Sequence, residues 1–383
     1  MPVNLKIKLP LGYKANGLAC GIKKSGKPDL GLIYSEKPAR ASGLFTSNKI
    51  TSGSVRFCQE NLKESREFRA IIINSGNANC LTKDNSFTSA GEVASNLAYW
   101  IKIRRKEILF ASTGIIGRPL PVKRIKKAMP ILVDGLSKSR ITKVTEAMRT
   151  TDTFIKQISV RLNIGRKAVT ICGLAKGAGM IAPNLTYPRA TMLCFILSDA
   201  DVAEGALRKA LIKAVENSFN CITIDGCMST NDTVLMMSNA AAGNIRIKEG
   251  SRDFKKFSSG LSRVCINLAK MIVRDAEGAS KFIQIKVKGS RTYQEAKRVA
   301  LSIANSNLFK TAMYGGSNNF GRIFAAIGAS GVDVKAKDIS LSVSPLRKKD
   351  IFVEVGLKRG YCEATIYTSD LTPEYVKINA AYN

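Results

Sequence analysis

The sequence predicts an α/β protein, and three observations carry that expectation. Segments of strand character and segments of helical periodicity alternate in both halves of the chain. The run Thr191-Met-Leu-Cys-Phe-Ile-Leu197 is apolar throughout after its first residue, as in a strand buried on both faces. Glycine, proline and amide clusters punctuate the segments, with no tandem repeat or long linker between them. Hydrophobic residues make up 45% of 383, enough for a sizeable core.

In chain order, Gly17–Ile22 and Asp29–Tyr34 read as strands joined through the turn-rich Lys23-Lys-Ser-Gly-Lys-Pro28. Ile71–Ile73 is a compact strand leading into a loop of small and amide residues, Asn74-Ser-Gly-Asn-Ala-Asn79. Val93, Leu97 and Trp100 mark an amphipathic helix over 89–101. Ile108–Ala111 is a strand that delivers Ser112-Thr-Gly114, where a hydroxyl and a backbone N–H can aim at one point. Val122, Ile125, Met129 and Leu132 fall at helical spacing, with Lys123, Arg124, Lys126 and Lys127 mainly on the outer face. A second helix ends at Met148-Arg-Thr-Thr-Asp-Thr-Phe154, and 158–163 with 167–172 form a hairpin around Ile164-Gly-Arg166. That hairpin leads to Lys176-Gly-Ala-Gly179, a cation on a glycine turn. After the central strand, 201–216 is an amphipathic helix, Cys221–Ile224 is a strand with a polar loop, and a helix ends near Ile272 before Asp275-Ala-Glu-Gly278.

The chain contains no histidine. A Ser-His-Asp or Cys-His acyl-transfer site is therefore excluded, as is any His-ligated metal. A hydroxyl nucleophile would need a lysine, a carboxylate or a free α-amine as its base, and threonine with its own terminal amine is one such solution. That amine titrates near ~8. It would exist at Thr191 only after cleavage of the Ala190–Thr191 bond. Read locally, Thr191 is merely the first residue of a core strand, where threonine is common.

Lys176-Gly-Ala-Gly-Met-Ile-Ala-Pro-Asn184, followed by Ala190-Thr-Met-Leu193, resembles the self-cleaving ornithine acetyltransferases, or bifunctional glutamate N-acetyltransferases, nearly end to end. Asn74–Asn79, Thr113-Gly114 with Pro119-Leu-Pro121, and Tyr375–Asn383 carry the resemblance further. It implies a four-layer α/β/β/α sandwich shared with self-processing aminopeptidases. It also implies an α chain, 1–190, and a β chain, 191–383, that begins with the nucleophile Thr191. Thr113 and Gly114 would form the oxyanion hole. Thr150 or Thr151, Lys176, Thr191, Glu277 and Asn379 would bind substrate, Lys176 and Glu277 offering the opposite charges an α-amino acid needs. The implied reaction moves acetyl from N2-acetylornithine to L-glutamate without a cofactor, and bifunctional members also take acetyl-CoA as donor. The implied assembly is an α2β2 heterotetramer. Four extra residues precede the scissile bond, Cys227 and Met228 depart from the family string, and the loop at 313–322 lacks the family's Asp-Pro and Trp.

Sixty basic residues against 29 acidic give a net charge of +31, which raises a nucleic-acid reading. No zinc knuckle, RNA-recognition signature or aromatic-interleaved basic strand accompanies it, so a solvated basic surface is the expectation. An aminopeptidase or amidohydrolase on the same scaffold is the other alternative, differing in whether water or an amine intercepts the acyl-enzyme. No apolar run approaches the ~20 residues of a membrane span, and the N-terminus lacks a signal-peptide core, so a cytoplasmic protein is expected. Nine cysteines without a C-x-x-C pair suggest reduced, mostly buried thiols.

Overall fold

A computed structural model describes residues 7–82, 86–182 and 192–381. The chain divides into two compact units, one drawn from Met1–Gly177, Pro183–Phe219 and Met228–Leu268, the other from Ala178–Ala182, Asn220–Cys227 and Ala269–Asn383.

The first unit contains strands β1 (Tyr13–Leu18), β2 (Leu30–Phe45), β3 (Phe68–Asn77), β4 (Ile108–Ile115), β5 (Lys156–Ile164), β6 (Lys167–Lys176), β7 (Leu193–Ser198) and β8 (Thr233–Ser238). Its helices are α1 (Gly53–Glu64), α2 (Ser86–Ile101), α3 (Val122–Asp134), α4 (Ile141–Met148), α5 (Glu204–Glu216) and the part of α6 (Arg252–Arg274) up to Leu268. The strands run in the order β4-β3-β2-β8-β7-β6-β5, with β1 beside β2. Long β2 serves two layers. Leu30–Tyr34 pairs with β1 and β3, whereas Arg40–Phe45 pairs with β8. Pro38 lies at the changeover, where a residue without an N–H cannot continue the ladder.

Alternation along the strands builds four layers. Ala70, Ile72, Ile108 and Phe110 face helices α2 and α3, while Ile71, Ile73, Leu109 and Ala111 turn inward against Cys172, Leu174, Phe195, Leu235 and Met237 of the second layer. On that layer's outer face, Gly173 leaves room for Val264 and Leu268 of α6. The expected α/β/β/α sandwich is thus present in this unit.

The second unit contains β9 (Phe282–Ser290), β10 (Ser340–Val343), β11 (Asp350–Gly356) and β12 (Cys362–Ser369), in the order β10-β11-β9-β12. Helices α7 (Tyr293–Ala304), α8 (Asn307–Gly315) and α9 (Gly321–Gly328) cover a core of Ile283, Ile285, Val299, Ile303, Phe309, Ile327, Val353 and Ile366. Helix α10 (Pro373–Ala380) follows β12.

Several expectations need correction. The chain leaves β1 at Leu18, because the buried Asp29 carboxylate draws in the N–H groups of Cys20, Ile22 and Lys23 at 2.7, 2.7 and 2.9 Å. Asn74–Asn77 is strand rather than loop, held in parallel register with Ser112–Ile115. Trp100 is 41% exposed and stands edge-on to Tyr99. Helix α5 begins at Glu204, since Val202 pairs with Ile247 instead. Cys221–Ile224 makes one bridge, Ile222 to Tyr367, not a strand. In α3, Ile125, Met129 and Leu132 are buried, and Lys123, Arg124 and Lys127 are exposed as their spacing requires.

Candidate active site

Parallel pairing of β3 and β4 places Ser75 opposite Thr113 and Gly76 opposite Gly114. Gly114 has φ +133°, and a Cβ there would press on the Gly76 and Asn77 backbone, with Asn77 N at 2.5 Å. Only glycine fits this close approach. Lys176, the last residue of β6, reaches the same place. Its Nζ donates to Thr113 Oγ1 at 3.3 Å, and the residue is only 9% exposed. Residues 63 positions apart in sequence are thereby joined.

Beside them lies a charge cluster that sequence reasoning missed. Asp152 is buried with Lys156, whose Nζ sits 2.6 Å from Oδ1 with both side chains fully enclosed. The N–H groups of Gly177 and Thr150 donate to the same carboxylate at 2.8 and 3.1 Å. Burial by itself would raise the Asp152 pKa. The charges of Lys156 and Lys176 and these hydrogen bonds outweigh it and hold the carboxyl well below its usual range. Lys23 completes the group, donating to Pro28 O and Arg149 O at 2.7 Å each. Desolvation pulls its pKa down to about 8, with Lys176 and Arg149 adding and Asp29 and Asp152 opposing. Thr150 is tied into this network through its backbone, and Thr151 is half-buried beside it in sequence. The Asp152/Lys156 spacing was visible, but four residues apart signals a helix pair, and here the chain bends at 153 and 154 before β5 begins at Lys156.

Thr191 and Ala190 lie outside the described residues. Their neighbour Met192 is described, with φ +96°, a conformation unusual for a non-glycine residue. Its N–H donates to the buried Asp232 carboxylate, and Thr233 N–H donates to its carbonyl. The adjacent Asn231 donates through Nδ2 to Ser112 O at 2.9 Å and to Ala78 O at 2.5 Å. The loop 231–233 therefore ties the start of β7 to the Thr113-Gly114 strand. Cys227 and Met228 leave this contact intact.

In the second unit, Glu277 follows the end of α6 and Asn379 sits on α10. Asn379 Nδ2 donates to Glu277 Oε2 at 2.9 Å, and Glu277 N–H donates to Ala178 O at 2.9 Å. A Cβ at Gly179 would meet this carboxylate, with Oε1 at 2.6 Å, so the glycine lets it sit where it does. The second glycine of Lys176-Gly-Ala-Gly179 thus makes room for a half-buried acid more than ninety positions away. The predicted residues fall into two sets, Thr113, Gly114, Thr150, Thr151 and Lys176 in the first unit and Glu277 and Asn379 in the second. Among the described residues no group of three His, Cys, Asp or Glu side chains could hold a metal ion. No described helix is long and apolar enough to cross a membrane.

Layers and site together define a class, an α/β/β/α protein in which a buried lysine meets a Thr-Gly pair at a strand end. The chain belongs to the ArgJ family, which matches residues 14–383. It is 43% identical to the arginine biosynthesis bifunctional protein ArgJ of Geobacter sulfurreducens, over 97% of this chain and 98% of that one. It is 40% identical to the glutamate N-acetyltransferase of Methanocaldococcus jannaschii, over 98% of each. A crystal structure of arginine biosynthesis bifunctional protein argJ from Bacillus halodurans is 36% identical and covers 49% of this chain and 98% of its own, with a TM-score of 0.48.

Proposed function

We propose that this protein is an acetyltransferase of arginine biosynthesis. It moves acetyl from N2-acetylornithine to L-glutamate after cleavage between Ala190 and Thr191. Family membership along nearly the whole chain supports the reaction class. The observation that carries the site is the 3.3 Å contact between Lys176 Nζ and Thr113 Oγ1 at a Gly114 that nothing larger can replace.

In the proposed sequence the freed α-amine of Thr191 takes the proton of its own hydroxyl, and Oγ1 attacks the acetyl carbonyl. Negative charge develops on the carbonyl oxygen, where the Thr113 hydroxyl and the Gly114 N–H are the donors. The C–N bond breaks, the proton passes to the departing amine, and ornithine leaves an acetyl ester on Thr191. The amine of glutamate then attacks that ester, the Thr191 α-amine takes a proton from the attacking nitrogen and delivers it to Oγ1 as the ester C–O bond breaks, and N-acetylglutamate leaves. Lys176 takes a substrate carboxylate, Thr150 or Thr151 contacts substrate, and Glu277 with Asn379 takes an ammonium. Acetyl-CoA would enter as a second acetyl donor, with no bound cofactor. Chains 1–190 and 191–383 would assemble as an α2β2 heterotetramer in the cytoplasm, without a nucleic-acid partner.

Initial-rate kinetics test this reading. Parallel double-reciprocal lines for acetylornithine and glutamate, with ornithine release rising as glutamate is added, are expected. Free acetate released at a rate indifferent to glutamate would assign the protein to the hydrolases instead.

A further inference from the structure

One carboxylate with no part in the assignments above gathers four donors. Asp225 Oδ2 accepts from Met180 N–H at 2.6 Å and from the Tyr375 hydroxyl at 3.3 Å. Oδ1 accepts from the N–H groups of Ile181 and Cys227, each at 3.0 Å. Every partner donates, so the position needs an acceptor at both oxygens, which an ionised aspartate provides and an asparagine does not.

These bonds close a ring through the second unit. Tyr375 offers its backbone carbonyl to Asn379 Nδ2 at 3.0 Å, and that same Nδ2 reaches Glu277 at 2.9 Å. Glu277 N–H returns to Ala178 O, one glycine short of Met180. Helix α10 needs such links. It is eight residues long with none of them buried, so packing alone holds it weakly. Its start is held where Thr372 Oγ1 donates to Gly278 O at 2.7 Å and accepts from Tyr375 N–H at 3.3 Å. Its other anchor is the Tyr375 hydroxyl on Asp225. Burial, then the Asp225 charge, pushes the phenol pKa well up, so the group stays a donor across the working range.

We infer that Asp225 and Tyr375 are positioning residues for substrate recognition, holding the Asn379–Glu277 pair in the orientation that accepts an amino-acid ammonium. The inference rests on the acetyl-transfer reading for its substrate but not for its geometry. Tyr375→Phe removes one hydrogen bond to a charged group and should raise KM for acetylornithine about tenfold, with kcat nearly unchanged and the thermal midpoint lowered by no more than a few degrees. Asp225→Asn turns one acceptor into a donor that faces other donors. It should expose the Met180 and Ile181 amides to faster hydrogen exchange, whereas Tyr375→Phe should leave both protected.

The experiment is therefore steady-state kinetics of Tyr375→Phe together with amide exchange of wild type and both variants. A wild-type KM in Tyr375→Phe, or wild-type protection of both amides in Asp225→Asn, overturns the inference. A wild type without acetyl transfer would instead overturn the function reading. In that event ornithine affinity replaces KM for Tyr375→Phe, and the exchange result still decides Asp225.

Discussion

Lys176→Met separates a working lysine from a structural one. The substitution keeps most of the apolar stem and removes the ammonium that donates to Thr113 Oγ1 at 3.3 Å. Asp152 keeps Lys156 at 2.6 Å and the Gly177 and Thr150 N–H groups, so its charge stays compensated. Losing one hydrogen bond to a hydroxyl costs about 1 kcal/mol. The attraction between Lys176 and Asp152 is lost as well, while relief of the repulsion on Lys23 and of the cost of burying the ammonium offsets part of these losses. Stability should thus fall by about 1–2 kcal/mol. Activity should change far more, because the proposed carboxylate contact and the support of an oxyanion donor are lost together. A fall in kcat/KM of roughly 10²- to 10³-fold is expected. Thermal melts and acetylornithine–glutamate kinetics on one preparation read both quantities. Activity within threefold of wild type would return Lys176 to the role of a charge at a glycine turn. Loss of activity with a collapsed melting midpoint would make it structural.

Other perturbations follow from the same geometry. Gly179→Ala places a methyl group on the Glu277 carboxylate, the movable end of a side chain; the fold should persist while KM for amino-acid substrates rises, and a wild-type KM would refute the placement. Asp152→Ala leaves the enclosed Lys156 ammonium without its counter-charge and should destabilise by about 3–5 kcal/mol in chemical denaturation. Lys310 is buried against Thr368 Oγ1 and Ser369 O, and desolvation lowers its pKa to about 8. The unfolded chain binds that proton more tightly, so its contribution to stability rises with pH between about 8 and the unfolded value near ~10.4. Buried thiols such as Cys58 and Cys172, pushed up to about 12, act in the opposite direction in every variant. The wild-type minus Lys310→Met stability difference should therefore increase with pH across that window, by order of 3 kcal/mol, and a flat difference would contradict the assignment.

What the sequence made legible was local. Ile71–Ile73, Ile108–Ala111 and the apolar run after Thr191 read as strands because burial on both faces leaves an unbroken hydrophobic stretch. The hairpin at Ile164-Gly165-Arg166 read correctly because its turn chemistry is local, with Gly165 at φ +56°. Thr113 and Lys176 were nominated by motif, and the fold brings them together. The Asp29 loop, the Asp152–Lys156 pair and the Asp232 clamp on Met192 were not legible. Each depends on a carboxylate meeting backbone or side-chain donors that folding delivers, and no periodic pattern announces it. The partner change along β2 was marked by Pro38, yet proline in an apolar stretch more often ends a strand than redirects it.

The central claim is that Thr191 becomes a chain terminus and carries the acetyl group. Purified protein should be incubated with N2-acetylornithine in the absence of glutamate, quenched in acid, and its chains weighed by mass spectrometry. The account predicts two chains, 1–190 and 191–383, with one acetyl added to the N-terminal peptide of the second and removed when glutamate is supplied. A single uncut chain that still transfers acetyl, or an acetyl group found on any residue but Thr191, would contradict it.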